Sequence, residues 1–152
     1  MSLDIQEVMG CTCLRMRRAT RRVTHIYDQA LAPADVTVNQ FGLLSHLYGV
    51  SLAGAPGLSI GALGERLGAD PTTLNRTLKP LADKGWVQDA VNASDGRVRL
   101  VRLTDKGQRA IVKAIPLWRE AQAKVEQALG AKAMRALNEL LDISVARLAK
   151  VG

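Results

Sequence analysis

The chain has 152 residues, 47% of them apolar but only 3% aromatic, and it carries a formal net charge of +7. This length suits one domain with an aliphatic core, and the positive charge favours a polyanionic partner, either nucleic acid or an acidic membrane surface. No apolar run reaches the length of a membrane span, and Met1–Gly10 lacks a hydrophobic signal core. Two cysteines form no disulfide framework, so the sequence predicts a cytoplasmic protein with no membrane partner. A merely basic soluble protein is the alternative.

A long amphipathic helix is predicted over residues 5–31, because apolar side chains recur on one face at helical spacing. That face carries Ile5, Val8, Met9, Met16, Ala19, Val23, Ile26, Tyr27 and Ala30. Five arginines spread over the other side, namely Arg15, Arg17, Arg18, Arg21 and Arg22. These arginines form either a solvated face or a secondary patch for phosphates or an acidic effector. The segment Ala32-Pro33-Ala34-Asp35 ends this helix.

A second helix is predicted to begin after Thr37, which is a good N-cap and has Gln40 at the capping-box position. It runs through Phe41 and Leu47 to Tyr48. Small residues over 49–57 indicate a loop, 58–60 a short extended piece, and 61–68 a short helix that glycine ends.

Strong boundary signals frame the next helix. Asp70 caps it, Pro71 occupies its first position, and Gly85 ends it after Lys84. Pro80 lies inside the helix and removes one backbone hydrogen bond, so we expect a bend there.

This helix and the short one before it predict a helix-turn-helix. Leu74, Leu78 and Leu81 recur at helical spacing and face the core. The outward side presents hydroxyl, amide and cationic groups from Thr72, Thr73, Asn75, Arg76 and Lys79. Such groups suit the base edges and phosphates of DNA, whereas the alternative is a solvated helix face.

A basic β-hairpin follows. Residues 86–91 and 98–103 read as strands around a polar turn at 92–96. Arg97 and Arg99 then lie at the tip and rim of the hairpin, and Thr104 is a good N-cap for the next helix. A basic hairpin after a helical pair is how a winged helix grips a DNA backbone and minor groove.

Two further helices are predicted, one from Thr104 to about residue 129 with a bend at Pro116, and one over 131–150. The last helix aligns Leu137, Leu140, Leu141, Val145 and Leu148 along one side. Pairing the first and last helices with those of a second copy would bury apolar faces that a monomer exposes. The sequence therefore favours a homodimer.

The segment from Asp95-Gly96-Arg97 through Leu103-Thr104-Asp105-Lys106-Gly107 resembles the wing of the MarR family of bacterial transcriptional regulators. The junction Lys84-Gly85-Trp86-Val87 is similar to that family's exit from the recognition helix. The resemblance covers nearly the whole chain. It implies one domain, 1–152, with a mainly α fold and a small β-hairpin wing. The winged helix-turn-helix would occupy 37–104, and dimerisation helices 5–31 and 105–150.

By that resemblance Arg97 enters the minor groove, and Asp95 holds its guanidinium through a charge-assisted hydrogen bond. The major groove receives Thr72, Thr73, Asn75 and Arg76. Lys79 and Arg99 complete the expected DNA-binding set. The family implies a homodimeric repressor that a small ligand or an oxidant releases from a pseudo-palindromic operator, with half-sites about one DNA turn apart.

The two cysteines raise the question of redox sensing. On a continuous helix, Cys11 and Cys13 point about 200° apart, which argues against a disulfide between them. Cys13 lies where the hydroperoxide-sensing branch of the family has its reactive thiol, and Tyr27 lies where that branch has a tyrosine. Arg17 and Val38 replace further tyrosines of that branch, so two inert cytosolic thiols are the alternative to a peroxide sensor.

Other sites are few. His25 and His46 have no neighbouring ligands at metal-binding spacing, and neither a metal nor a cofactor is expected. By analogy with the family, Arg22, Tyr27 and His46 would line a pocket for a small anionic or aromatic effector. No paired carboxylates, nucleophile with a base, or glycine-rich phosphate loop indicates an enzyme. A non-specific architectural DNA binder remains a third functional class.

Overall fold

The computed structural model of the protein describes residues 5–151. Its helices are α1 (Ile5–Met9), α2 (Thr12–Leu31), α3 (Val38–Leu52), α4 (Ile60–Leu67), α5 (Pro71–Asp83), α6 (Asp105–Leu129) and α7 (Ala131–Leu148). Its strands are β1 (Leu58–Ser59), β2 (Val87–Val91) and β3 (Arg99–Leu103). A mainly helical chain with a small β-hairpin confirms the predicted fold class.

The chain forms two compact units. One comprises Met1–Ile26 together with Arg119–Gly152, and the other spans Tyr27–Trp118. Helices α2 and α6 contribute residues to both units. The second unit contains every element of the predicted helix-turn-helix and hairpin.

The start of α3 shows how local sequence fixes an element. The hydroxyl of Thr37 accepts from the backbone amide of Gln40 at 3.3 Å, and the Gln40 side chain accepts from the Thr37 amide at 3.0 Å. This capping box is the one that the sequence predicts, and it satisfies two donors that the first helical turn leaves unpaired. Asp28 of α2 accepts from the Val38 amide at 2.7 Å, which ties the end of α2 to the start of α3.

Aliphatic side chains form the core of the second unit, as the low aromatic content predicts. Its fully buried large side chains are Leu31, Leu43, Leu44, Leu47, Leu63, Leu74, Leu81 and Ile111. Burial of each such side chain contributes on the order of 2 kcal/mol before the entropy cost of folding is counted. Phe41 adds an aromatic contact, because its ring stacks on that of Trp118 with centroids 5.9 Å apart.

The sheet has the order β1-β3-β2, and both pairings are antiparallel. The short extended piece at Leu58 and Ser59 pairs with Val101 and Leu100 of β3, so it is a third strand beside the hairpin. Gly57 permits this approach: its φ is +149°, and a Cβ there would lie 2.5 Å from the Val101 carbonyl oxygen. Only glycine fits this position without displacing β3.

The predicted continuous helix over 5–31 is wrong, because α1 ends at Met9 and α2 begins at Thr12. Gly10 forms a turn in which its amide donates to the carbonyl oxygens of Gln6 and Glu7, both at 3.1 Å. Glycine disfavours helical backbone by about 1 kcal/mol relative to alanine, so a break in this apolar-periodic segment costs least at Gly10. Cys11 therefore lies between two helices, and the angular argument against a Cys11–Cys13 disulfide loses its basis.

The last two helices follow the predicted bounds closely. Pro116 lies inside α6, which is assigned as one helix from Asp105 to Leu129. No helix within residues 5–151 combines the length and the apolar character needed to cross a membrane.

Candidate nucleic-acid interface

The turn between α4 and α5 is tight because of a glycine within α4. The Ala69 amide donates to the Gly64 carbonyl at 3.0 Å, and a Cβ on Gly64 would lie 2.8 Å from the Ala69 carbonyl oxygen. Gly68 ends α4 with a φ of +61°, a left-handed backbone that glycine adopts without strain. These residues set the direction in which α5 leaves the turn. Gly64 could not be identified from the sequence, since its role depends on a contact with Ala69 across the turn.

Asp70 organises the first turn of α5. Its carboxylate accepts from the Thr73 amide at 3.0 Å and from the Thr73 hydroxyl at 2.7 Å. The Thr73 side chain is the largest cause that lowers the pKa of Asp70, and its backbone amide adds to the effect. The Thr73 hydroxyl is thus engaged in the helix cap, so only its oxygen lone pairs remain available to DNA.

The two faces of α5 are separated as the sequence predicts. Leu74, Leu78 and Leu81 are buried. The predicted DNA-facing set is exposed, namely Thr72, Thr73, Asn75, Arg76 and Lys79. The helix continues past Pro80 to Asp83, and Lys79 forms an ion pair with Asp83 at 3.4 Å. An exposed polar edge on a helix anchored by three leucines is suited to entering a groove.

The tip of the hairpin is shaped by two side chains that accept from the backbone. Asn92 accepts from the Ser94 amide, and Asp95 accepts from the Arg97 amide, both at 3.0 Å. The expected contact between Asp95 and the Arg97 guanidinium is therefore replaced, in the described chain, by a contact to the Arg97 backbone. The carboxylate fixes the turn, and the exposed guanidinium extends from it without an ion-pair partner among residues 5–151.

Three residues of the predicted DNA-binding set line one cleft between α5 and the hairpin: Asn75, Lys79 and Arg99. Arg99 forms an ion pair there with Asp89 of β2, in which Nε lies 2.7 Å from Oδ1. Asp89 could not be identified from the sequence, because its proximity to Arg99 follows from the strand register.

Contacts at the base of the hairpin explain why Thr104 and Gly107 occur in the segment Leu103-Thr104-Asp105-Lys106-Gly107. The Thr104 hydroxyl donates to the Gly85 carbonyl at 2.6 Å and accepts from the Gly107 amide at 3.0 Å. The Thr104 amide also donates to the Trp86 carbonyl at 3.0 Å. A Cβ on Gly107 would overlap that same carbonyl group of Trp86. Threonine followed by glycine three residues later is what this junction requires.

The far end of α5 is held by a lysine. The Lys84 ammonium lies 2.9 Å from the Asp35 carboxylate and 2.5 Å from the Asp35 carbonyl oxygen. It also sits over the Trp86 ring, 4.6 Å from the ring centroid. These contacts join segments 49 residues apart in the chain, a separation that local sequence patterns do not reveal.

The residues predicted to bind an effector divide between the two units. Tyr27 and His46 belong to the second unit and Arg22 to the first. Tyr27 is buried, which raises the pKa of its hydroxyl. His46 is half-buried, and its Nδ1 donates to the Gly42 carbonyl at 2.8 Å. That bond gives His46 a structural role within α3, and the effector pocket stays a prediction.

Both cysteines are free thiols, with Cys11 half-buried and Cys13 exposed. Residues 5–151 contain no group of three or more His, Cys, Asp or Glu side chains arranged to hold a metal ion.

Comparisons with known proteins agree with this geometry. The model of the MarR family matches residues 34–98. The HTH-type transcriptional repressor Rv2887 of Mycobacterium tuberculosis is 30% identical over 113 residues, covering 74% of this chain and 78% of the relative. The structure of the M. tuberculosis transcriptional regulator MosR in complex with DNA is 35% identical, with a TM-score of 0.72, covering 90% of this chain and 97% of that one.

A mutant MarR of Escherichia coli, solved with operator DNA, is 25% identical with a TM-score of 0.76, and the match covers 93% of this chain and 97% of that one. These matches span both units, and they agree with the basic hairpin and the exposed polar edge of α5, the recognition helix, found here. The chain belongs to the MarR family of winged-helix, DNA-binding transcriptional regulators.

Proposed function

We propose that the protein is a cytoplasmic, homodimeric repressor that binds a pseudo-palindromic operator and leaves it when a small ligand or an oxidant acts. The carrying observation is the exposed polar edge of α5, anchored by buried Leu74, Leu78 and Leu81, beside a hairpin that presents Arg97. The polar edge suits the major groove, and the hairpin arginine suits the minor groove or the phosphates. No enzymatic activity is part of this proposal.

The first unit supports the dimer. Large apolar side chains are exposed along its helices, including Ile5, Val8, Met9, Leu14, Met16, Val23, Leu129, Leu137, Leu140, Leu141, Ile143, Val145 and Leu148. Leu140 is 62% exposed and Val145 is 72% exposed. Exposing so many apolar side chains to water is unfavourable, and such a patch is typical of a protein–protein interface. A second copy would cover this surface through a two-fold interface and would present two recognition helices about one DNA turn apart.

Release requires an effector that prefers a dimer with its recognition helices wrongly spaced for the operator. A small anionic or aromatic molecule contacting Tyr27 or His46, both in the second unit, is the proposed ligand. The direct test is calorimetric titration of salicylate into the full-length dimer. Saturable binding that weakens in Tyr27→Phe or His46→Gln supports this pocket, and binding that is the same in both variants contradicts it.

The DNA-binding proposal is tested by selecting bound fragments from the source genome with the full-length protein. Affinity for a selected duplex is then compared with affinity for a scrambled duplex at several salt concentrations. A sequence-specific regulator discriminates by about 10³-fold or more. A strongly salt-dependent affinity with a ratio near one would instead support an architectural DNA binder.

A second candidate is a peroxide sensor, and the break between α1 and α2 favours it. Because Cys11 lies outside both helices, its side-chain direction is not fixed by helical geometry relative to Cys13. Hydrogen peroxide would oxidise the two thiols to a disulfide and be reduced to two molecules of water, through a sulfenic acid on one cysteine.

The test is operator affinity before and after peroxide treatment, with intact mass as a second measurement. If the protein is a sensor, peroxide lowers its intact mass by two hydrogen atoms and lowers its affinity for the operator. Cys11→Ser and Cys13→Ser should each abolish both changes. Unchanged affinity in the wild type and in both variants indicates inert thiols.

A further inference from the structure

We infer that Asp89 is a positioning residue of the DNA interface, which restrains Arg99 and thereby limits the contribution of that arginine to binding of non-operator DNA. This inference rests on the proposed DNA-binding function. It adds a second carboxylate, besides Asp95, to the expected interface.

The strand register brings the two side chains together. Asp89 is the partner of Val101 across the β2–β3 ladder, and Arg99 is the partner of Val91. Since residues paired across a ladder share a face and alternate residues return to it, all four lie on the same side of the sheet. Arg99 reaches diagonally away from the hairpin tip to Asp89, and Nε meets Oδ1 at 2.7 Å.

The pair lines the cleft that also contains Asn75 and Lys79 of α5. Lys79 has its own acidic partner in Asp83, at 3.4 Å. Both cations of the cleft are therefore neutralised within the protein. In contrast, Arg97 at the hairpin tip and Arg76 on α5 have no acidic partner within 4.0 Å among the described residues.

The geometry leaves part of the Arg99 guanidinium available. An arginine has five N–H donors, and the bond to Asp89 uses the one on Nε, so the terminal nitrogens can still meet DNA. Asp89 thus removes freedom from the side chain without removing its capacity to bind. A restrained guanidinium contacts phosphate or base only where the duplex is fully seated between α5 and the hairpin.

A non-operator duplex would fit less closely between α5 and the hairpin. An unrestrained arginine could still reach and bind any nearby phosphate of such a duplex. Holding Arg99 therefore weakens binding to random DNA more than binding to the operator. Both side chains are 63% exposed, so the ion pair is weak and its effect is small. Exposed pairs of this kind correspond to about a two- to fivefold change in an equilibrium constant.

The test measures the affinity of full-length protein for an operator duplex and a scrambled duplex by fluorescence anisotropy. Asp89→Asn is expected to raise affinity for the scrambled duplex about two- to fivefold more than affinity for the operator. Asp89→Glu, which retains the carboxylate, is expected to keep the wild-type ratio. Because Asp89 is exposed and its bond is made to one side chain, the variant retains the fold, which circular dichroism verifies.

Removing the negative charge of a carboxylate near DNA strengthens binding where the carboxylate has no role in holding the backbone, so two controls isolate the role of Arg99. Asp83→Asn makes the same charge change beside Lys79, whose contact with Asp83 is longer, at 3.4 Å against 2.7 Å for Arg99 and Asp89, so we expect its gains on the two duplexes to be more nearly equal. In an Arg99→Met background, Asp89→Asn is expected to give equal gains as well.

The double-mutant cycle of Asp89→Asn and Arg99→Met tests whether Asp89 acts through Arg99. A loss of discrimination that persists in the Arg99→Met background, or a wild-type ratio in Asp89→Asn, overturns the role assigned to Asp89. Neither result affects the proposed function, which fails separately if the wild-type protein does not discriminate between the two duplexes.

Discussion

The hydroxyl of Thr104 donates a hydrogen bond to the carbonyl oxygen of Gly85 at 2.6 Å, and this bond joins the end of the recognition helix to the start of α6. The same hydroxyl accepts from the Gly107 amide, which makes Thr104 the N-cap of α6. One side chain thus anchors the hairpin base, the helix that precedes it and the helix that follows it.

We expect Thr104→Val to lower the free energy of unfolding by about 1–2 kcal/mol, because it removes a helix cap and leaves the Gly85 carbonyl without this donor. Thr104→Ser is the matched control and should retain most of the stability. Urea unfolding at one fixed protein concentration measures both, since the stability of the proposed dimer would depend on concentration. Equal stability of Thr104→Val and the wild type would contradict this role.

Gly107→Ala is expected to be more damaging, at about 2 kcal/mol or more, because the added methyl group overlaps the Trp86 carbonyl. Gly49 in α3 offers the opposite case, since nothing lies within 4 Å of a Cβ built there. Gly49→Ala should therefore stabilise the protein by about 0.5–1 kcal/mol through reduced backbone entropy in the unfolded chain. The midpoint temperature of thermal unfolding should fall in Gly107→Ala and rise in Gly49→Ala.

Arg76→Ala is expected to cost about 1–3 kcal/mol of operator binding and to relax the preference at one base pair, because Arg76 is exposed on α5 and has no acidic partner among residues 5–151. Binding to a set of operators with single base-pair changes measures the effect. A uniform loss across the set would show that Arg76 contacts phosphate instead of a base.

Arg97→Ala, in contrast, is expected to weaken binding to all duplexes and to reduce its salt dependence, since one cationic contact of the hairpin is lost. Asp95→Ala should produce a similar loss by a different route, because it releases the Arg97 backbone and loosens the turn. Affinities measured over a range of salt concentrations separate the two, as only Arg97→Ala changes the number of neutralised phosphates.

The carboxylate of Asp70 gives α5 a pH dependence. Its pKa in the folded protein lies below the ordinary value of 3.8, mainly because the Thr73 hydroxyl and amide donate to the ionised form. As pH falls, the unfolded chain takes up the proton first, so the stabilisation is complete above 3.8 and is lost as pH falls through the lower folded value. Asp70→Asn should lack this component of the acid transition, which unfolding measured across that pH range would reveal.

Sequence reasoning succeeded where a feature depends on neighbours in the chain. The Thr37 capping box and the leucine face of α5 both follow from spacings of three or four residues, and the structure confirms them. It failed at Gly10, where an apolar pattern with helical period continued across a residue that stops the helix. The prediction gave more weight to the apolar periodicity than to the glycine, whereas in the structure the helix ends before Gly10.

Features that depend on tertiary approach were out of reach. Three such contacts join residues at least ten positions apart in the chain. They are the pairing of β1 with β3, the ion pair of Lys84 with Asp35 and the ion pair of Arg99 with Asp89. Of the predicted site, the structure confirms the exposure of the DNA-facing residues, while the partner that sequence assigned to the Arg97 guanidinium, Asp95, was wrong.

Strand β1 pairs with β3 only at Leu100 and Val101. The outer part of the hairpin, residues 91–99, is therefore formed by β2, β3 and the turn between them, without a third strand. The hairpin therefore has a root that β1 supports and an outer part in which β3 pairs with β2 alone. Insertions or deletions between Asn92 and Arg97 could lengthen or shorten the tip without disturbing the root. Related regulators could in this way adjust how far the hairpin reaches along DNA while their helical body stays unchanged.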